Sequence, residues 1–197
     1  MDAVASAADI AKQWFPIMEK AMNRLTLDTD KQVFFYEQDH YYLSNFSAFT
    51  LVWKNRTFPT VEHAYHWEKF QNCIDFLDGR YIADQIAQAP SAHVAFKWAQ
   101  DNKQFLAGSD WDQRKVSNMR DMLRAKVSQH EYPRRKLLET GDREIVENSW
   151  RDDYWGWGPN RDGQNMLGKL WMEVREELRN QTVAAYIRLK LKPEDVK

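Results

Sequence analysis

Two short tracts, far apart in the chain, constrain its fold more than anything else in the sequence. The first runs Pro59-Thr60-Val61-Glu62-His63-Ala64-Tyr65-His66-Trp67-Glu68-Lys69-Phe70. The second runs Asp152-Asp153-Tyr154-Trp155-Gly156-Trp157-Gly158 and resumes at Gly163-Gln164-Asn165-Met166-Leu167-Gly168-Lys169. A core needs apolar residues, and a surface needs only scattered charge. Neither needs carboxylates, an amide, histidines, lysines, glycines and tryptophans concentrated in two stretches. That mixture suits a pocket for a flat, polar, phosphorylated ligand, with groups able to move protons.

The 197 residues are enough for one domain with a substantial core. The 28 basic and 29 acidic side chains leave a formal charge of -1, without the basic excess that a non-specific nucleic-acid binder needs. A local basic groove stays open. Cys73 is the sole cysteine, so no intramolecular disulfide can form and a reducing, cytoplasmic compartment is expected. No apolar run approaches bilayer length, and the start, with Asp2 and Asp9, does not read as a signal peptide. The nine tryptophans read mostly as bulky core.

Residues 1–30 read as a helical extension, with Ile10, Trp14, Ile17, Ala21 and Leu25 in a stripe, a break or kink at Pro16, and a polar linker over Thr26–Lys31. Residues 31–197 form the main domain. Short β-like pieces are expected at Val33–Tyr36, Tyr41–Leu43 and Phe49–Trp53, the last turning at Lys54-Asn55-Arg56 toward Thr57-Phe58. After Pro59 helices dominate. Thr60 is the expected N-cap of a helix to about Gln71. Further stripes are Ile82–Ile86, Val94–Phe105, the set Val116, Met119, Leu123 and Val127, and the set Leu167, Leu170, Trp171, Val174 and Leu178. Thr182–Leu191 fits helix or strand equally.

On the helix after Thr60, the spacing i, i+4, i+7 places Glu62, His66 and Lys69 on one face, while His63, Trp67 and Phe70 form an adjacent face that can pack inward. A partly desolvated Glu beside cationic partners is suited to polarising water. The same spacings also make ordinary surface pairs, and Glu in a first turn is favoured by the helix dipole. A metal site at His63 and His66 is disfavoured, because residues three apart diverge and no cysteine or clustered histidine completes a site.

In the second tract, rings beside acids offer stacking faces, and the glycines permit sharp turns. Asn165 falls at a helix start, where backbone N–H groups, with Lys169 one turn on, would bind phosphate. The tract reads equally as a glycine-rich loop with Asn165 as a plain N-cap. A third segment, Asp110-Trp111 with Arg114, Lys115 and Arg120, supplies a basic helix.

Phe35-Tyr36, Leu43-Ser44-Asn45-Phe46, Pro59 to Tyr65, Lys69-Phe70, Asp110-Trp111, Lys115, Met119, Thr140-Gly141, Val146-Glu147, Trp155-Gly156-Trp157-Gly158 and Gly163 to Lys169 together resemble the YbiA-like NADAR family, over roughly residues 33–179 and in order. The resemblance implies a mainly α fold, a single compact YbiA-like helical domain with a small β element near its N-terminal side. It also implies N-glycosidase activity, cleaving between ribose C1 and a nitrogen. The substrate classes it implies are early riboflavin-pathway intermediates and ADP-ribose on guanine bases in DNA. Carried over by position, the catalytic glutamate falls on Glu62, and Asn45, Lys69, Trp111, Asp152, Trp155 and Asn165 fall on pocket motifs. The chain departs from the family in having His66 where Gln is frequent, and in following Asp152 with a second acid, Asp153.

These readings converge on a cytoplasmic hydrolase of N-ribosyl bonds, passing through an oxocarbenium-like transition state. Glu62 would activate water and Asp152 would stabilise the sugar cation or orient a ribose hydroxyl. His66 would give the leaving nitrogen its proton. Lys69 and the helix start at Asn165 would hold phosphate, Trp155 or Trp111 would stack on the base, and Asn45 would complete the pocket. No metal or organic cofactor is expected. The expected partner is a nucleotide-like small molecule or an ADP-ribosylated nucleobase, with DNA as its carrier an open alternative. A non-catalytic ADP-ribose-binding module is the competing class, and Glu62 at the matched position favours the enzyme.

Overall fold

A computed structural model of the chain describes residues 27–36, 39–71, 73 and 76–190. The amphipathic stripe from Ile10 to Leu25 lies outside the described residues. Six α-helices carry most of the described chain: α1 (Val61–Lys69), α2 (Phe76–Ala87), α3 (Ala92–Asp101), α4 (Trp111–Gln129), α5 (Glu131–Glu139) and α6 (Met166–Lys190). Four short strands, β1 (Gln32–Phe35), β2 (Leu51–Trp53), β3 (Arg56–Phe58) and β4 (Glu144–Glu147), form two separate two-stranded sheets. The protein is mainly α with a small β element.

Local signals account for the first helix and the hairpin before it. Thr60 is extended (φ -147°, ψ 166°), and its side-chain oxygen accepts the His63 N–H, which caps α1. The β2–β3 hairpin turns at Lys54 and Asn55, with φ of 47° and 63°. Two left-handed residues in a two-residue loop make a type I′ turn, whose twist matches that of the strands. The hairpin is bound to α1 through Glu68, a carboxylate with no exposure to solvent. Glu68 accepts hydrogen bonds from Trp53 Nε1 at 3.0 Å, Lys54 Nζ at 2.6 Å and Arg114 Nη1 at 3.3 Å. A buried carboxylate is tolerable only when paired in this way.

Two expectations are corrected. Tyr41–Leu43 is a turn of 3-10 helix, not a strand. It follows the left-handed residue His40, and only Leu43 of its three residues is buried. Strand β4 was not foreseen. It pairs in parallel with β1, Val33 against Ile145 and Phe35 against Glu147, so the β element joins both ends of the domain. Residues 28–31, read as linker, are tied to this sheet: Asp28 accepts the Phe34 N–H at 2.9 Å, and the Lys31 carbonyl accepts the Glu144 N–H at 2.8 Å. Thr182 onward continues α6 as helix to Lys190.

Helix α6 organises the main core. Its residues Leu167, Leu170, Trp171, Val174 and Leu178 are buried against side chains that include Phe35, Leu43, Leu123 and Ile145. Each large apolar side chain removed from water contributes roughly 1.5–3 kcal/mol. Gly168 lets α6 cross β4, since a Cβ there would collide with the Ile145 carbonyl oxygen. A smaller cluster, including Phe70, Ile82, Ile86 and Ala95, fastens α2 and α3 to the end of α1. Among the described residues, no helix is long and apolar enough to cross a membrane.

Candidate active site

The two tracts meet in one cavity of about 460 Å³, a size typical of small-molecule sites. Helix α1 supplies Glu62, Tyr65, His66 and Lys69 from successive turns of one face. The loop after Leu43 adds Asn45, the end of β4 adds Glu147, and the loop before α6 adds Asp152 and Trp155. The exposed His93, Phe96 and Gln100 of α3 form its mouth.

Glu62 sits in the first turn of α1, and its backbone N–H is bound by the Asn45 carbonyl at 3.0 Å. Glu62 is 6% exposed and His66 is 2% exposed, with His66 Nε2 at 2.7 Å from Glu62 Oε1. The carboxylate can only accept, so Nε2 carries the proton. Burial first, and the neighbouring Lys69 second, hold His66 below the usual imidazole range. It is therefore neutral, its one N–H is committed to Glu62, and it has no proton to hand to a leaving group. Its geometry is that of a residue orienting Glu62. Lys69 is lowered to about 8, chiefly by burial and against the pull of Glu62. Its ammonium lies 5.0 Å from the centre of the Tyr65 ring.

Three residues that line this cavity carry a buried polar atom with no hydrogen-bond partner among the described residues: Asn45 Oδ1, His66 Nδ1 and Glu147 Oε2. Buried polar atoms are normally satisfied, and orphans gathered in one cavity mark a place where a polar ligand belongs. Another hollow, of about 530 Å³ beside Tyr42, Tyr132 and Arg143, is lined by no such atom among the described residues. The Glu147 carboxyl is pushed up to about 8 by burial and by the negative charges of Asp152 and Glu62. The phenol of Tyr65 is also held above its usual range, first by burial and then by Glu62.

Of the two adjacent acids, Asp152 lines the cavity while Asp153 is exposed. Asp152 Oδ1 accepts the N–H groups of Tyr154 at 2.9 Å and Trp155 at 2.7 Å, so the acid fixes the loop as it faces the pocket. Trp155 lines the cavity edge-on to Tyr65, with ring centres 5.7 Å apart. Trp111 does not reach the cavity. It stands behind Tyr65, with ring centres 5.0 Å apart, and backs that wall.

Asn165 is spent on the fold. Its Oδ1 accepts the Glu147 N–H at 3.0 Å and its Nδ2 donates to the Ile145 carbonyl at 2.9 Å. The expected anion site at the start of α6 is not available either. The N–H groups of Asn165, Met166 and Leu167 are taken by the carbonyls of Gly156, Tyr154 and Trp155, and Lys169 is exposed away from the cavity lining. His63 is also structural, with Nε2 donating to the Ala89 carbonyl at 3.1 Å and Nδ1 at 2.8 Å from Thr60 Oγ1. The basic helix is paired: Arg114 with Asp110, Lys115 with Asp112 and Arg120 with Glu173.

Sequence reasoning from residue chemistry passed over Tyr65, Glu147 and the α3 wall. The spacing i, i+3, i+7 of His93, Phe96 and Gln100 was a readable face. Glu147 carried no local signal, because its role depends on a strand pairing across the whole chain.

Residues 34–179 match the NADAR domain family. The chain is 34% identical to N-glycosidase YbiA of Escherichia coli (strain K12) over 163 residues, which cover 83% of this chain and 97% of that protein. It is 33% identical over 151 residues to a riboflavin biosynthesis protein of Vibrio vulnificus, covering 76% of this chain and 39% of that longer one. The NMR structure of Escherichia coli YbiA superimposes with a TM-score of 0.65 at 32% identity, covering 80% of this chain and 90% of that one. The chain belongs to the NADAR domain family and is a relative of N-glycosidase YbiA.

Proposed function

We propose that this protein is an N-glycosidase that hydrolyses the bond between ribose C1 and a nitrogen, with an ADP-ribosyl group on a guanine base as its substrate. The observation that carries this reading is the buried Glu62–His66 pair in a cavity where Asn45 and Glu147 each keep a buried oxygen without a partner among the described residues. The His66 N–H fixes one oxygen of Glu62, which leaves the other to take a proton from water. As the C1–N bond lengthens, positive charge develops on the sugar, and the carboxylates of Glu62 and Asp152 favour that charge. Asn45 offers its amide to a ribose hydroxyl. Lys69 binds a phosphate, and Trp155 with Tyr65 forms the wall for a planar base.

A second reading, hydrolysis of a ribosylaminopyrimidine phosphate of riboflavin synthesis, draws on the name of the Vibrio relative. The test is incubation with each substrate, an oligonucleotide bearing ADP-ribosylated guanine and the pyrimidine intermediate, with mass spectrometry of the products. Release of ADP-ribose from the oligonucleotide is expected. Cleavage of the pyrimidine alone moves the assignment to the second reading, and cleavage of neither defeats both.

A further inference from the structure

Cleavage of an N-ribosyl bond needs two proton movements, and the groups described so far provide for one. Glu62 takes a proton from water. The leaving nitrogen of a neutral base or amine departs as a poor anion unless it is protonated as the bond breaks. His66, the residue expected to do this, is neutral and already gives its N–H to Glu62.

We propose that Glu147 is the general acid of this cavity, delivering its carboxyl proton to the leaving nitrogen. The proposal rests on the N-glycosidase reading of the same site. Its geometry is specific. Glu147 is the last residue of β4, with its N–H held by Asn165 Oδ1 at 3.0 Å and its carbonyl held by the Trp157 N–H at 3.2 Å. The strand pairing of Phe35 with Glu147 fixes the same residue from the other side. A backbone pinned this firmly holds the half-buried Glu147 at the pocket wall, and its Oε2 is buried with no partner among the described residues. An ionised carboxylate with a bare buried oxygen is costly, whereas a protonated one has a hydrogen to offer to a ligand.

The charges around Glu147 agree. The groups that line the cavity with it include the acids Glu62 and Asp152, the phenol of Tyr65, the imidazoles of His66 and His93, and the cations Lys69 and Arg151. The influences acting on Glu147 are burial and the two carboxylates, and no cation offsets them. Two acids in one pocket are thus separated in role by their surroundings, Glu62 held by a hydrogen-bond donor and Glu147 left with none.

The step balances. The C1–N bond breaks with its electron pair remaining on nitrogen, which takes the Glu147 proton. The oxygen of water bonds to C1, and Glu62 takes the proton that water loses. Glu147 ends ionised and Glu62 protonated, and exchange with solvent restores both.

Two measurements test this. In protein labelled with carboxyl-13C glutamate, the resonance absent from Glu147→Gln should titrate near pH 8, independently of any substrate. A resonance in the ordinary carboxylate range overturns the proposal. On whichever N-ribosyl substrate the wild type cleaves, Glu147→Gln should lower the single-turnover rate about 10²–10⁴-fold and keep ligand affinity within about threefold, the sign of an intact fold. The fall in wild-type rate above about pH 8 should disappear in the variant. A variant cleaving within about fivefold of wild type overturns the acid role alone. A wild type that cleaves neither substrate defeats the N-glycosidase reading, and the acid role with it.

Discussion

His66 Nε2 lies 2.7 Å from Glu62 Oε1, one helical turn away and almost out of contact with solvent. The pair is preorganised by its own helix. Thr60 caps the helix start, the Asn45 carbonyl binds the Glu62 N–H, and Glu68 ties the opposite side of the same helix to the hairpin and α4. A carboxylate in the role proposed for Glu62 gains from such support because its geometry is set before the substrate arrives.

Glu62→Gln is expected to abolish turnover and leave ligand binding nearly intact. The amide keeps the shape and still accepts the His66 N–H, but it cannot take a proton from water. General-base contributions are typically about 10²–10⁴-fold. Single-turnover rates measured beside ligand affinity check this, and activity within about tenfold of wild type removes Glu62 from the role.

The role proposed for His66, orienting Glu62, separates two substitutions. His66→Gln supplies an N–H donor that can reach Glu62, so kcat should fall by no more than about tenfold. His66→Leu removes the donor and leaves a buried carboxylate without it, and misplacement of a reacting group costs up to about 10²-fold. Equal losses in both variants would show that a titrating imidazole is needed.

Trp155→Ala should raise KM more than it lowers kcat. Stacking on a planar base is present in the ground state and the transition state alike, so its loss weakens both. Steady-state kinetics on the ADP-ribosylated oligonucleotide are the check. A loss confined to kcat would mean that the Trp155 ring serves mainly to place the loop that carries Asp152, since the backbone N–H that Asp152 Oδ1 accepts survives in the alanine variant.

The legible parts of this protein were the locally determined ones. Thr60 with Glu62 announced a capped helix, Lys54-Asn55 announced a turn, and the spacing from Leu167 to Leu178 announced the core face of α6. The illegible parts depended on distant partners. Strand β4 has two apolar residues between glutamates, too few to show a period, and it is a strand because β1 pairs with it. Asn165 resembled a ligand-binding amide, and only the fold shows both its polar atoms satisfied by β4. For the same reason Trp111 read as a stacking face, when it stands behind Tyr65.

Glu68→Leu should destabilise the protein by about 3–5 kcal/mol, as breaking a buried ionic network does. The change strands the Trp53 indole N–H and removes the carboxylate shared by Lys54 and Arg114. The urea midpoint of unfolding reads the loss. A cost below about 1 kcal/mol would show that water replaces the carboxylate without penalty.

Lys126 is expected to give stability an unusual pH dependence. It is fully buried on α4, and its ammonium donates to the Ser44 carbonyl at 2.9 Å and to Ser47 Oγ at 2.8 Å. Among the described residues no carboxylate pairs with it, and burial lowers it to about 7. In the unfolded chain it returns to the ordinary lysine value of about 10.4. Between those values the unfolded chain binds more protons than the folded one, so the Lys126 contribution to stability rises with pH, by about 1 kcal/mol per unit inside the window. Lys126→Met removes this contribution and nearly preserves the shape. Ser47 Oγ also donates to the Ser44 carbonyl at 2.7 Å, so those groups keep a partner. The loop they form carries Asn45, and through its carbonyl the start of α1, so the variant should stay folded with the Glu62 site in place. Urea unfolding of both proteins from pH 6.5 to 9 decides the matter. The wild type should gain stability relative to Lys126→Met as pH rises above about 7, and parallel curves would show that Lys126 keeps its proton across that range.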